Sequence, residues 1–420
     1  MSDSPDLTRA VSRARRRLVP FLFLLYIVAY LDRVNVGFAA LQMNTALGLS
    51  ARSFALGAGI FFVGYTIFEI PSNVLLARIG ARLWIARIMI TWGLVSAGMM
   101  FVHSAATFYA MRFVLGVAEA GFFPGIIFYL TRWFPERERA RTIAAFMTAV
   151  LVAGIVGGPV SGGLLTLDGR AGLAGWQWLF LLEGLPAVVL GVMVLALLTE
   201  RPEEAAWLTE GERRALAGRL TEEAAVRRGQ PQNLAAALTS GRIWLLAAVY
   251  FGLPVALYAM SFWLPQIIKT ASGGSDLKIG LLSTIPYMFG AIAMVLVGRH
   301  SDRTGERRWH VAIVTAVGGA AFAASATVSS LVPSIALLSV AMVGLASMLG
   351  PFWALATSAV RGIGAAAGIA LINSVGNVGG FVGPYIIGYV RDTTGSFGAG
   401  LVVVGAILAS GGLLVLMVRE

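Results

Sequence analysis

Apolar residues run along this chain in blocks of about twenty, the length an α-helix needs to cross roughly 30 Å of hydrocarbon. The blocks lie near 18–41, 53–77, 83–103, 106–131, 140–166, 176–199, 242–268, 277–298, 309–329, 331–358, 364–390 and 397–418. Short polar, glycine- or proline-bearing segments separate them, and one interruption, 200–241, is long and charged. The pattern predicts an all-α membrane protein with twelve transmembrane helices in two six-helix bundles, 18–199 and 242–420. A cytoplasmic tail, 1–17, precedes the first bundle, and the linker 200–241 joins it to the second. In the linker, Thr209 and Glu212 have capping-box spacing ahead of Leu216, Leu220 and Ala224, which predicts a short amphipathic helix on the membrane surface. A plain solvated linker is the other reading, and neither carries chemistry.

Composition agrees: 58% of residues are hydrophobic and 13% charged, with a mean hydropathy of +0.80, where soluble chains carry about 25% charge. The absence of cysteine excludes disulfides, thiolate metal sites and a cysteine nucleophile. Arg13, Arg15, Arg16 and Arg17 precede the first block as in a signal peptide. That block is too long for such a segment and no small-residue cleavage site follows, so an uncleaved first helix is expected. The net charge of +11 is explained by topology. With both termini cytoplasmic, one side holds Arg9 to Arg17, Arg78, Arg82, Arg132, Arg137, Arg139, Arg141, the linker arginines, Arg299 to Arg308, Arg361 and Arg419. The other holds only Arg52, Arg170, Lys269, Lys278 and Arg391. This is the positive-inside bias of a multi-pass protein of a bacterial-type inner membrane, and no nucleic-acid partner is implied.

The two halves echo one another. Arg78-Ile79-Gly80-Ala81-Arg82 follows the second block, and Gly298 to Arg308, with Asp302 and Arg303, follows the eighth. Such turns can make a charge-assisted latch on one side of the membrane, with Arg78, Arg82, Asp302 and Arg303 as its candidates. Gly154, Gly158, Pro159, Gly162 and Gly163 in the fifth block match Gly376, Gly379, Gly380, Gly383 and Pro384 in the eleventh. Glycines at these spacings let helices approach closely, and proline breaks the helical ladder where a pivot can form. Matched positions in two halves point to a duplicated transporter that rocks about a midplane site.

Candidate chemistry sits in the first half. Asp32 and Arg33 lie far into the first block, where unpaired charge costs at least about 2.5 kcal/mol. They face either a partner or cavity, or mark the outer membrane interface. Tyr26, Tyr30 and Arg33 share one helical face, as do Arg112 and Glu119, about 10.5 Å apart along the fourth helix. Glu69 and Glu183 read as structural partners. The second half has Ser347 where the fourth helix has Glu119, and offers neutral groups instead: Tyr258, Phe262 and Gln266 on the seventh helix, Trp353 on the tenth, Asn373 and Asn377 on the eleventh. Amides and phenols suit hydroxyl and carboxylate oxygens, although ordinary interhelical hydrogen bonding accounts for each alone. His103 and His300 lack neighbouring ligands at metal spacing. No nucleophile, phosphate loop or triad is present, so the chain does not read as an enzyme, and no cofactor is expected beyond protons as coupling ion.

The twelve blocks, the paired loop motif and Arg112-x-x-x-Gly116 resemble the major facilitator superfamily. Within it, the chain resembles the anion:cation symporters of the tartrate, sugar-acid and phthalate type. The residues that carry this are Leu31 to Gly37, Phe68-Glu69-Ile70-Pro71-Ser72-Asn73, Trp84 to Arg87, Trp133-Phe134-Pro135, Trp176 to Pro186 and Phe262 to Gln266, and the likeness runs from about Arg17 onward. Ala77 departs from the pattern, which usually has an aspartate there, so a latch would rest on Asp302. The resemblance implies that Asp32 and Glu119 carry protons and that Arg33 grips substrate. It also implies that Tyr30, Tyr65 and Asn373 are substrate contacts.

The expected function is proton-coupled import of a small organic anion by alternating access, a hydroxy-dicarboxylate such as tartrate or a sugar acid, by a protein functional as a monomer in the lipid bilayer. The expected binding set is Arg33, Tyr30, Tyr65, Arg112, Gln266, Trp353, Asn373 and Asn377. In the empty site Arg33 and Arg112 would keep Asp32 and Glu119 ionised, and a substrate carboxylate competing for the arginines would ease their protonation. Alternatives are an aromatic carboxylate of phthalate type, walled by Trp263, Phe352 and Trp353, and a drug:proton antiporter, since the fifth-block glycines fit that motif. A phosphate-ester exchanger or a transporter-like receptor are further ones.

Overall fold

The computed structural model describes residues 4–228, 238–359 and 365–418; Arg361 and Arg419 lie outside them. The described residues include fifteen α-helices: α1 (Pro5–Ala46), α2 (Ala51–Ile79), α3 (Ala81–Gly98), α4 (Ala105–Glu119), α5 (Phe122–Thr131), α6 (Glu136–Met147), α7 (Ala149–Leu165), α8 (Gly175–Leu197), α9 (Glu210–Arg228), α10 (Gly241–Ser272), α11 (Asp276–Thr304), α12 (Arg308–Ser325), α13 (Leu331–Ala359), α14 (Ala365–Thr394) and α15 (Gly398–Val415).

Among the described residues eleven helical spans are long and apolar enough to cross a membrane. The expected ninth span is α12, 18 residues long, which spends its first turn on Arg308, Trp309 and His310 and so falls short in apolarity while still packing between α13 and α15. Ile67, Ile70, Phe289, Leu296 and Val332 are exposed on the outer surface, as lipid-facing side chains must be.

Helix α1 begins at Pro5, so most of the expected tail is helical. Ser4 Oγ accepts the Leu7 N–H at 3.2 Å, Pro5 occupies the first turn, and Leu7, Ala10, Val11 and Ala14 are buried at helical spacing. The linker helix α9 forms as its capping box requires: Glu212 Oε2 accepts from Thr209 N at 3.0 Å and Thr209 Oγ1 from Glu212 N at 3.3 Å. Leu216 is buried, and Arg13 donates to Glu212 at 3.0 Å, tying α9 to α1.

Contacts across the two halves follow a two-fold exchange. Helix α7 of the first half packs on α11 of the second, and α14 of the second on α2 of the first. These are the same pairing with the halves swapped, as duplication demands. Glycine makes both approaches close. A Cβ on Gly158 would stand 2.3 Å from the Gly280 carbonyl oxygen, and one on Gly380 would stand 2.5 Å from the Phe62 ring. Of the eleventh-block glycines, Gly379 and Gly383 instead face α10 within the second half.

The end away from the linker is closed by polar contacts between the halves. Gln42 Nε2 donates to Asp276 at 2.8 Å, Ser50 Oγ to Asp392 at 2.6 Å and Arg52 Nε to the Tyr385 hydroxyl at 3.3 Å.

Candidate functional site

The fourth span is broken, which the periodicity did not predict. Helix α4 ends at Glu119, Gly121 takes φ 87°, and α5 restarts at Phe122. A Cβ on Gly121 would lie 2.4 Å from Ser72 Oγ, whose hydroxyl donates to the Ala120 carbonyl at 2.6 Å. The backbone there therefore needs glycine both for its dihedral and for its space. The break leaves Glu119 at the carboxyl end of α4, where the helix dipole disfavours an anion. Its compensation is Arg33 of α1, with which it forms a buried ion pair.

Arg33 reaches further. Its Nη1 donates to the Tyr258 hydroxyl of α10 at 2.9 Å, and its guanidinium lies 5.3 Å from the Tyr65 ring centre and 5.5 Å from that of Phe61. Arg112, fully buried on α4, lies 5.0 Å from the same Phe61 centre. The two cations therefore share one aromatic ring, which places them no more than 10.5 Å apart. Arg112 donates to the Ala58 carbonyl at 3.1 Å, while its Nε and Nη1 have no acceptor. Arg33 Nε is likewise buried without a partner. Buried donors of this kind are costly unless something accepts from them. An acceptor-rich, negatively charged ligand fits the set.

Asp32 does not join this cluster. One position along the helix from Arg33, it turns into the first bundle, where Trp92 Nε1 donates at 2.7 Å, Ser96 Oγ at 2.8 Å and Asn35 Nδ2 at 3.4 Å. The expectation that arginines hold Asp32 is thus corrected: its hydrogen-bond partners are neutral donors. It is also not at the outer end of its helix, since α1 continues to Ala46, fourteen residues beyond it.

The other expected residues are spread out. Asn377 Nδ2 donates to Glu69 Oε2 at 3.3 Å across the halves, so the structural partner of Glu69 is on α14. Asn373 stands half-buried one turn earlier. On α10, Gln266 and Tyr250 flank Tyr258 two turns away in opposite directions, about 12 Å each. Trp353 packs on Tyr250 with ring centres 5.0 Å apart. Gln266 and Trp353 therefore do not meet at one small ligand beside Arg33. Gln266 carries a buried, unpartnered N–H.

The latch residues are not brought together. Asp302 pairs with Arg307 of its own turn at 2.7 Å, and Arg78 and Arg303 are exposed. The acid at the first half's turn comes from elsewhere: Glu200 accepts from Ala81 N at 2.9 Å and Arg82 N at 2.8 Å, and pairs with Arg132. Phe61, Trp92 and Ser96 were missed. Phe61 and Tyr65 share a helical face, a readable signal, but nothing in sequence ties Trp92 to Asp32.

Two helical bundles related by exchange, spanning a membrane and enclosing a pair of buried cations, define by class a membrane transporter, not an enzyme. The Major Facilitator Superfamily profile matches residues 22–384. The chain belongs to this superfamily. It is 51% identical over 414 residues to a protein of Agrobacterium vitis named "Putative tartrate transporter", covering 98% of this chain and 92% of that one. It is also 42% identical to a "Quinolone resistance transporter" of Acinetobacter baumannii, covering 100% and 96%. A bacterial homolog of the human lysosomal transporter Spinster, solved inward-facing and occupied, superposes with a TM-score of 0.77 at 16% identity, covering 96% of each chain. That likeness speaks to fold alone.

Proposed function

We propose that this protein imports a small organic anion, a hydroxy-dicarboxylate such as tartrate or a sugar acid, together with protons, by alternating access. The observation that carries the reading is Arg112, fully buried between α2 and α4 with two N–H groups lacking acceptors, on the ring it shares with Arg33. The relationship to the Agrobacterium vitis protein supports the choice of cargo.

In this reading a substrate carboxylate competes with Glu119 for Arg33. Glu119, losing its partner in a buried site at the carboxyl end of α4, then takes up a proton. The linkage acts first through Glu119, because Asp32 has no arginine among its hydrogen-bond partners; Asp32 is the second proton site. With Glu119 neutral and the anion on the arginines, the halves can re-pair about the glycine contacts of α7–α11 and α2–α14. The positive-inside bias puts both termini and the linker in the cytoplasm of a bacterial-type inner membrane, so the closed end faces outward. Tyr30, Tyr65, Asn373 and Asn377 are the neutral substrate contacts.

Proteoliposome uptake of radiolabelled tartrate under an imposed proton gradient tests this. Wild-type protein accumulates the anion, Glu119→Gln and Asp32→Asn do not, and gradient-driven accumulation by either variant at the wild-type level removes that acid from the coupling.

A second reading is favoured by one finding. The 42% identity to the quinolone resistance transporter supports an aromatic carboxylate as cargo, moved outward. Proton-gradient-driven extrusion of a fluoroquinolone, with no tartrate uptake, would select it.

A further inference from the structure

Glu183 on α8 is an intramembrane acid that the proposed cycle leaves unused. It is 5% exposed, and its Oε1 accepts from Ser161 Oγ of α7 at 2.7 Å. Its Oε2 is buried without any donor. Asn35 lies between it and Asp32: the amide nitrogen donates to Asp32 Oδ1 at 3.4 Å, the same side chain is also a hydrogen-bond partner of the Glu183 carboxyl, and its Oδ1 has no donor. The cluster therefore holds two carboxyl groups and one amide oxygen, all buried, with two acceptor atoms unserved.

The charged groups around it do not supply what is missing. Glu119 of α4 is a further anion acting on Asp32, and Arg112 acts on Asp32 only at a distance. Arg33 is turned to Glu119, and Arg87 of α3 lies over the Trp84 ring. Helix α7 has no charged residue. Two carboxylates ionised side by side with no cation among their hydrogen-bond partners would repel in a medium that screens little.

We propose that Asp32, Asn35 and Glu183 form a second acid cluster inside the first bundle, in which Glu183 holds a resident proton that lets Asp32 ionise. A hydrogen on Glu183 Oε2 supplies the donor this acceptor-rich cluster lacks and removes one of the two charges. The protons of such a pair belong to both acids jointly, so Glu183 acts as a positioning residue for the proton on Asp32. Its part in transport rests on the symport reading; the presence of the proton does not.

Infrared spectroscopy of the full chain reconstituted in lipid tests this at neutral pH. Wild type shows a protonated-carboxyl C=O absorption; Glu183→Gln loses one carboxyl's worth of it while remaining monodisperse, and Asp32→Asn keeps it. Ser161→Ala, which removes the hydroxyl on Glu183 Oε1, shifts the band's frequency. A Glu183→Gln protein with the full wild-type band, or a Ser161→Ala protein with an unmoved band, overturns the proposal. If wild-type uptake of tartrate ignores the proton gradient while the Glu183 band is present, it is the symport reading that fails and the resident proton that stands.

Discussion

Arg33 Nη1 donates to the Tyr258 hydroxyl at 2.9 Å across the boundary between the halves, while the same guanidinium pairs with Glu119 in its own half. One side chain thus ties the proposed proton carrier to the opposite bundle. Any ligand that takes Arg33 from Glu119 also alters what holds the halves together there.

Tyr258→Phe removes the acceptor of a charged hydrogen bond, worth about 1.5–3 kcal/mol. Isothermal titration with tartrate is expected to show affinity weakened about tenfold or more. Arg33→Gln, which deletes the cation itself, abolishes binding.

Arg112→Lys keeps the charge and loses the planar fork that stacks on Phe61 and reaches the Ala58 carbonyl. Because lysine cannot reproduce bidentate or stacked contacts, uptake is expected to fall to background while the thermal midpoint changes little. A lysine variant transporting at the wild-type rate would leave Arg112 as charge alone.

Gly158→Val places a side chain against the Gly280 backbone, where even a Cβ would approach to 2.3 Å. Overpacking of this kind costs about 1–3 kcal/mol, here charged to the closed arrangement of α7 on α11. The chain has no native cysteine, so Gln42→Cys, which itself lacks the Asp276 contact, gives a single labelling site and the baseline at that end. Its maleimide labelling is expected to rise when Gly158→Val is added.

Glu200→Ala removes the carboxylate that accepts from Ala81 N and Arg82 N at the start of α3 and pairs with Arg132. Loss of a helix cap alone costs about 1 kcal/mol. The expected result is a lower melting temperature by differential scanning fluorimetry with unchanged tartrate affinity, since Glu200 lies in the turn region and contacts neither Arg33 nor Arg112.

Much of the architecture could be read along the chain. Hydrocarbon thickness converts directly into block length, so the spans, the linker helix with Thr209 and Glu212, and the duplication marked by Gly154–Pro159 and Gly383–Pro384 were legible from one-dimensional pattern. The rare intramembrane charges Asp32, Arg33, Arg112 and Glu119 were legible for the same reason: a charge in that position needs an explanation wherever it points.

Direction was not legible. Neighbours on a helix differ by about 100°, so Asp32 and Arg33, adjacent in sequence, serve different surroundings: one meets Trp92 and Ser96 inside a bundle, the other Tyr258 across the halves. The break at Gly121 depends on Ser72 standing beside it, and the acid at Arg82 comes from Glu200, far along the chain. Periodicity along one helix determined which residues had to be buried; the packing of its neighbours decided what each of them would meet, because that partner is brought from another helix by the fold alone.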